Sequence, residues 1–79
     1  MEFKEARIIL LKEWDPLDVN DNPHLVDEYD SYLPELIRLL KADHTGEEIA
    51  NYLKEIEDNL GVTLPSERRT RAAELLVGK

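Results

Sequence analysis

Between residues 13 and 35 this chain carries eight carboxylates, Glu13, Asp15, Asp18, Asp21, Asp27, Glu28, Asp30 and Glu35, and no Lys or Arg. Eight like charges over 23 residues repel one another. A compact fold must bring counter-charges, helix N-termini or a cation to them, or leave them in water. Elsewhere the charges balance: residues 1–12 hold two acids and three bases, and residues 36–79 eight acids and seven bases. The net charge of −8 over 79 residues is therefore local to one segment.

On either side of that segment the apolar spacing is helical. Phe3, Ala6 or Arg7, Leu10 and Trp14, with Ile9 beside them, predict a helix over 2–14 that Pro16 ends. Ile8 and Leu11 widen its stripe beyond one face, which predicts contact on two sides, either by the rest of the bundle or by a second chain in a homodimer through this helix. Residues 15–30, DPLDVNDNPHLVDEYD, read as a long loop holding one helical turn near 24–29, with Asn22 as cap and Pro23 in its first position. A second helix is expected over 31–43, capped by Asp30 or Ser31, with Pro34 in its first turn and Leu33, Leu36, Ile37, Leu39 and Leu40 inward. T-x-x-E at Thr45–Glu48 is a capping box for a third helix that runs to Gly61 with Ile49, Tyr52 or Leu53, Ile56 and Leu60 inward. A fourth over 65–77 buries Ala72, Ala73, Leu75, Leu76 and Val77 and turns Arg68, Arg69 and Arg71 outward, where they pair with Glu67 and Glu74 or dock on the acidic segment.

The expected fold is a single all-α domain, 1–79, an irregular bundle of four helices with one long acidic loop between the first two. A chain this short buries about 60 to 65% of its unfolded surface, so its core is small. MEFKEAR has no signal-peptide pattern, no apolar run approaches a membrane span, and there is no cysteine, all of which point to the cytoplasm. The acidic balance argues against nucleic acid as a partner, since such binding depends on Lys and Arg at phosphates.

Several constellations bear on chemistry. Asp18, Asn20 and Asn22 alternate as in a calcium loop, with Asp27 and Glu28 following, but Pro23 stands where the sharp turn needs glycine and Tyr29 where the bidentate glutamate belongs. Such residues also serve as turn formers that bond their own backbone. Asp30–Ser31 at a helix mouth resembles the modified serine of acyl carrier proteins, matched here by Asp30, Ser31 and Leu33, with Tyr32 departing from the pattern. His24 and His44 are not spaced as a ligand pair and read as solvated loop residues. With no nucleophile motif, phosphate loop or metal signature, the chain is read as non-enzymatic and without a cofactor.

The favoured reading is an interaction module that presents Trp14, Asp15, Asp18, Asp27, Glu28, Tyr29, Asp30 and Tyr32 to a basic protein partner, as immunity proteins or DNA mimics do. Divalent-cation binding and a carrier role at Ser31 are the alternatives. Asp15 and Asp30 are the carboxylates most suited to serving the fold itself, as caps.

EWDP at 13–16 and DEYDSYLPEL at 27–36, followed by the capping box and the pair Ile56–Glu57, resemble a family of small uncharacterised bacterial proteins, a domain of unknown function. The resemblance spans residues 5–61 and implies an all-helical fold. It marks Trp14, Asp15, Pro16, Asp27, Glu28, Tyr29 and Asp30 as signature positions and transfers no activity.

Overall fold

A computed structural model describes residues 2–19, 21–25 and 27–78. Four α-helices, with no strand among the described residues, form the bundle: α1 (Phe3–Ile9), α2 (Leu33–Lys41), α3 (Gly46–Leu60) and α4 (Ser66–Val77). α3 and α4 pack along each other, α2 rests on α1 and α3, and the end of the first helix lies on α4.

The first helix does not run to Trp14 in one geometry. α1 stops at Ile9 and continues as a π-helical turn, Leu10–Trp14, which closes where the Asp15 N–H donates to the Leu10 carbonyl five residues back at 2.7 Å. Asp15 then takes left-handed φ 37°, ψ 63° rather than the extended backbone that a following proline favours. Aspartate visits this region more readily than most residues. The wider turn carries Trp14 to the interior, with Ala6 and Leu10 behind it. Phe3, expected in the core, is 43% exposed instead, because the buried side of α1 is the Ala6–Leu10 side.

Local signals set the other boundaries. Asn22 Oδ1 accepts the His24 N–H at 2.9 Å and opens the 3₁₀ turn Pro23–Leu25. A second 3₁₀ turn, Asp30–Tyr32, leads into α2, whose first turn holds Pro34. The expected side-chain cap by Asp30 or Ser31 is absent, since the Asp30 carboxylate is taken by Arg7. At α3 the capping box closes in both directions: Thr45 Oγ1 accepts the Glu48 N–H at 3.2 Å, and Glu48 Oε1 accepts the Thr45 N–H at 3.0 Å. Gly61 ends α3 at φ 76°, with the Val62 N–H on the Glu57 carbonyl (3.0 Å) and the Gly61 N–H on that of Asp58 (3.2 Å).

The core is Ala6, Leu10 and Trp14 from the first helix, Tyr29 from the loop, Leu33 and Leu36, Ile49, Leu53 and Ile56, and Ala72, Ala73 and Leu76. Each large side chain in it contributes roughly 1.5–3 kcal/mol of burial. No helix among the described residues is long and apolar enough to cross a membrane.

Candidate interaction surface

The acidic segment divides into carboxylates that the fold absorbs and carboxylates that it leaves in water. Asp15 is the innermost, 1% exposed. Its Oδ1 accepts the Val19 N–H at 2.9 Å and the Tyr29 hydroxyl at 2.7 Å, and the Tyr29 oxygen in turn accepts the Leu17 N–H at 2.9 Å. One carboxylate and one phenol thus satisfy the backbone of the first loop turn and tie it to residue 29 at the loop's far end. Burial raises the Tyr29 pKa, and the bond it donates to Asp15 raises it further, so the phenol keeps the proton this network needs. The Tyr29 ring lies tilted on the Trp14 indole, centroids 5.3 Å apart.

Three more acids of the segment are paired. Asp30 receives both Nε (3.0 Å to Oδ1) and Nη2 of Arg7, a fork that ties the loop to α1. Glu13 accepts Arg71 Nε at 3.1 Å, and Glu35 binds Arg38 within α2.

The remaining four, Asp18, Asp21, Asp27 and Glu28, are exposed, and their side chains make no hydrogen bond or ion pair with any described residue. They sit on a loop whose two ends are fixed by the Asp15–Tyr29 and Arg7–Asp30 contacts.

The expected surface is therefore only partly a surface. Trp14, Asp15 and Tyr29 are buried, the first two where the π turn ends in the left-handed residue 15 and Tyr29 through its contacts with both of them. Asp30 is spent on Arg7, and Tyr32 is half-buried with its carbonyl accepting the Tyr52 hydroxyl at 3.1 Å. Asp18, Asp27 and Glu28 are outside as expected, joined by Asp21.

The arginines of α4 do not simply face solvent. Arg68 Nη2 donates to the Trp14 carbonyl at 2.7 Å and approaches that of Asp15 at 3.4 Å, serving as the C-terminal cap of the first helix. Arg69 forks onto Glu57, Nε to Oε2 at 2.9 Å and Nη2 to Oε1 at 2.7 Å. Glu57 is fully buried and also accepts the Trp14 indole N–H (2.9 Å) and the Leu64 N–H (3.1 Å). Burial by itself would raise the Glu57 pKa; the Arg69, Trp14 and Leu64 donors overcome it and hold the carboxyl down at about 2. Among the described residues no buried side-chain nitrogen or oxygen lacks a hydrogen-bond partner.

For the other constellations, Asn22 is spent on its turn, Asn20 lies outside the described residues, and no group of three or more His, Cys, Asp or Glu among the described residues gathers as a metal ion would need. Ser31 is exposed in the second 3₁₀ turn. His24 is exposed, and His44 Nδ1 lies 2.8 Å from Glu48 Oε2. No family model, curated protein or solved structure matches this chain.

Proposed function

We propose that this protein is a non-enzymatic interaction module whose acidic loop engages a basic protein partner, in the manner of an immunity protein or a DNA mimic. The observation that supports this most is the set of four exposed carboxylates without a hydrogen bond or ion pair to a described residue, Asp18, Asp21, Asp27 (which lies in the field of Arg7) and Glu28, on a loop anchored at both ends. Asp30, Glu35 and Glu13 are ion-paired with Arg7, Arg38 and Arg71, and Asp15 is buried and hydrogen-bonded by the Tyr29 hydroxyl and the Val19 N–H; the four exposed acids have no such contact. Carboxylates pre-positioned on an anchored loop lose little conformational entropy on binding, and their field accelerates encounter with a cationic surface. The buried aromatics act in this reading as the loop's fastening rather than as contact anchors. The reading takes the chain to be cytoplasmic and its partner to be a protein, not a nucleic acid or a membrane.

The test is affinity capture at low salt with the wild-type chain and with a variant carrying Asp18→Asn, Asp21→Asn, Asp27→Asn and Glu28→Gln. Asn tolerates the left-handed φ of 55° at residue 18, so the variant keeps its fold. A basic protein held by the wild type and released by the variant supports the proposal. Identical captured sets from the two chains refute it.

A further inference from the structure

The exposed large hydrophobic side chains of the described residues, Phe3 (43%) and Ile8 (47%), both belong to the seven-residue helix α1. Ile8 lies about half a turn around from the buried Ala6–Leu10 side, in the middle of the solvent face. Around it stand Lys4, Glu5 and Lys12, all exposed. Most described cations are engaged within the chain: Arg7 on Asp30, Arg38 on Glu35, Lys54 on Asp58, Arg69 on Glu57, Arg71 on Glu13, and Arg68 on backbone carbonyls. Lys4, Lys12 and Lys41 are the described cations without such a contact, and two of these three flank Ile8. Glu5 is likewise unpaired among the described residues.

We infer that this face of the first helix docks on a second copy of the same chain, antiparallel, about a two-fold axis through Ile8. The charge order selects that occupant. Glu5 precedes Ile8 by three residues, about 4.5 Å back along α1 and to one side of the face, and Lys12 follows Ile8 by four residues in the wider π turn, close to the line of Ile8 itself. A two-fold axis across antiparallel helices reverses the order along the axis, so Glu5 of each copy stands level with Lys12 of the other, within reach of its long side chain. Ile8 meets its own counterpart at the centre. Lys4 falls on the opposite side of the face, level with the half-buried Leu11 of the other copy, along which its aliphatic stem lies. One helix face thus complements itself in both charge and apolar content. Two helical turns are a small contact beside the ~800 Å² per partner of a standard interface, so the association is weak, with a dissociation constant on the order of 100 µM. The four free carboxylates of the acidic loop take no part in it, so this inference and the proposed function fail independently.

The experiment is sedimentation equilibrium of the full chain from 10 µM to 1 mM at low salt, with thermal melting by circular dichroism as the check that each variant is folded. The wild type is expected to rise with concentration from the monomer mass of 9.2 kDa toward twice that value. Ile8→Glu is expected to stay monomeric throughout, with an unchanged melt because residue 8 faces water. Glu5→Lys, which sets two lysines against each other twice in the dimer, weakens association roughly tenfold, and Glu5→Lys with Lys12→Glu restores it. A wild type that stays monomeric at 1 mM overturns the inference, as does association that Ile8→Glu leaves intact or that the double exchange fails to restore. Binding of a monomeric wild type to anionic vesicles through Ile8 would also overturn it, in favour of a membrane surface.

Discussion

Replacing Glu57 by Gln keeps the side chain's shape and removes its charge, leaving the Arg69 guanidinium, 13% exposed, without its counter-ion. The native carboxyl titrates at about 2 against an ordinary value of 4.5. At 1.36 kcal/mol per pKa unit that displacement corresponds to roughly 3 kcal/mol of stability in the ionised form. The figure agrees with the 3–5 kcal/mol typical of removing one partner of a buried pair. Because the native pKa is depressed, the contribution is complete above about pH 4.5 and drains away as the pH falls toward 2. Urea unfolding of wild type and Glu57→Gln at pH 7, 5, 4 and 3 should show a gap of about 3 kcal/mol at pH 7 and 5 that narrows at pH 4 and 3. In a domain of this size the pH 7 gap lowers the melting temperature by roughly 12–24 °C. A gap under about 0.5 kcal/mol at pH 7, the range of an ordinary surface change, would refute the reasoning. So would a large gap that stays constant down to pH 3, since the loss would then be one of packing and not of charge.

Two further substitutions probe the loop fastening and the helix boundary. Tyr29→Phe removes the hydroxyl that donates to Asp15 and accepts from Leu17, and should cost about 2 kcal/mol in urea unfolding at neutral pH; a cost below about 0.5 kcal/mol would mean that the loop does not depend on this bond. Gly61→Ala meets no atom within 4 Å of the added Cβ, so only the left-handed φ of 76° opposes it, and a loss of about 1 kcal/mol is expected; no loss would show that the end of α3 rearranges freely.

What the amino-acid order made legible was local. The Thr45–Glu48 capping box, the Gly61 stop, Pro34 in the first turn of α2 and the Asn22 cap are each decided within a few residues, and each appears in the structure. The inward positions of α2 and α3 followed from 3.6-residue spacing, as did Ala72, Ala73, Leu76 and Val77 of α4, whereas Leu75, also expected inward, is not among the residues packed on the core. The polar interior was less legible. Glu57 sits one place after Ile56 on the inner side of α3, and its partners Trp14 and Arg69 are 43 and 12 residues away, a pairing with no signature in spacing. A carboxylate four residues after Leu53, on the apolar side of its helix, was the one available hint. Of the two expectations for the arginines of α4, solvent or the acidic segment, the second holds for Arg71, which meets Glu13, and for Arg68, which meets the carbonyls of Trp14 and Asp15, while the pairing of Arg69 with buried Glu57 was hidden by the same distance problem. At the acidic segment the charge excess was visible at once, and Asp15 and Asp30 were expected to serve the fold, though through Tyr29 and Arg7 rather than as caps. Which acids stay in water depends on where a π turn points the chain at residue 15, and periodicity is silent on that.

The central claim is that binding runs through the four carboxylates the fold leaves unpaired, and the salt dependence of affinity for the captured partner tests it most directly. Titrations from 25 to 300 mM NaCl should show wild-type affinity falling steeply as exposed charges are screened, while the variant neutralised at Asp18, Asp21, Asp27 and Glu28 binds weakly and almost independently of salt. Wild-type affinity that does not change with salt, or a neutralised variant that follows the same steep curve, would contradict the claim.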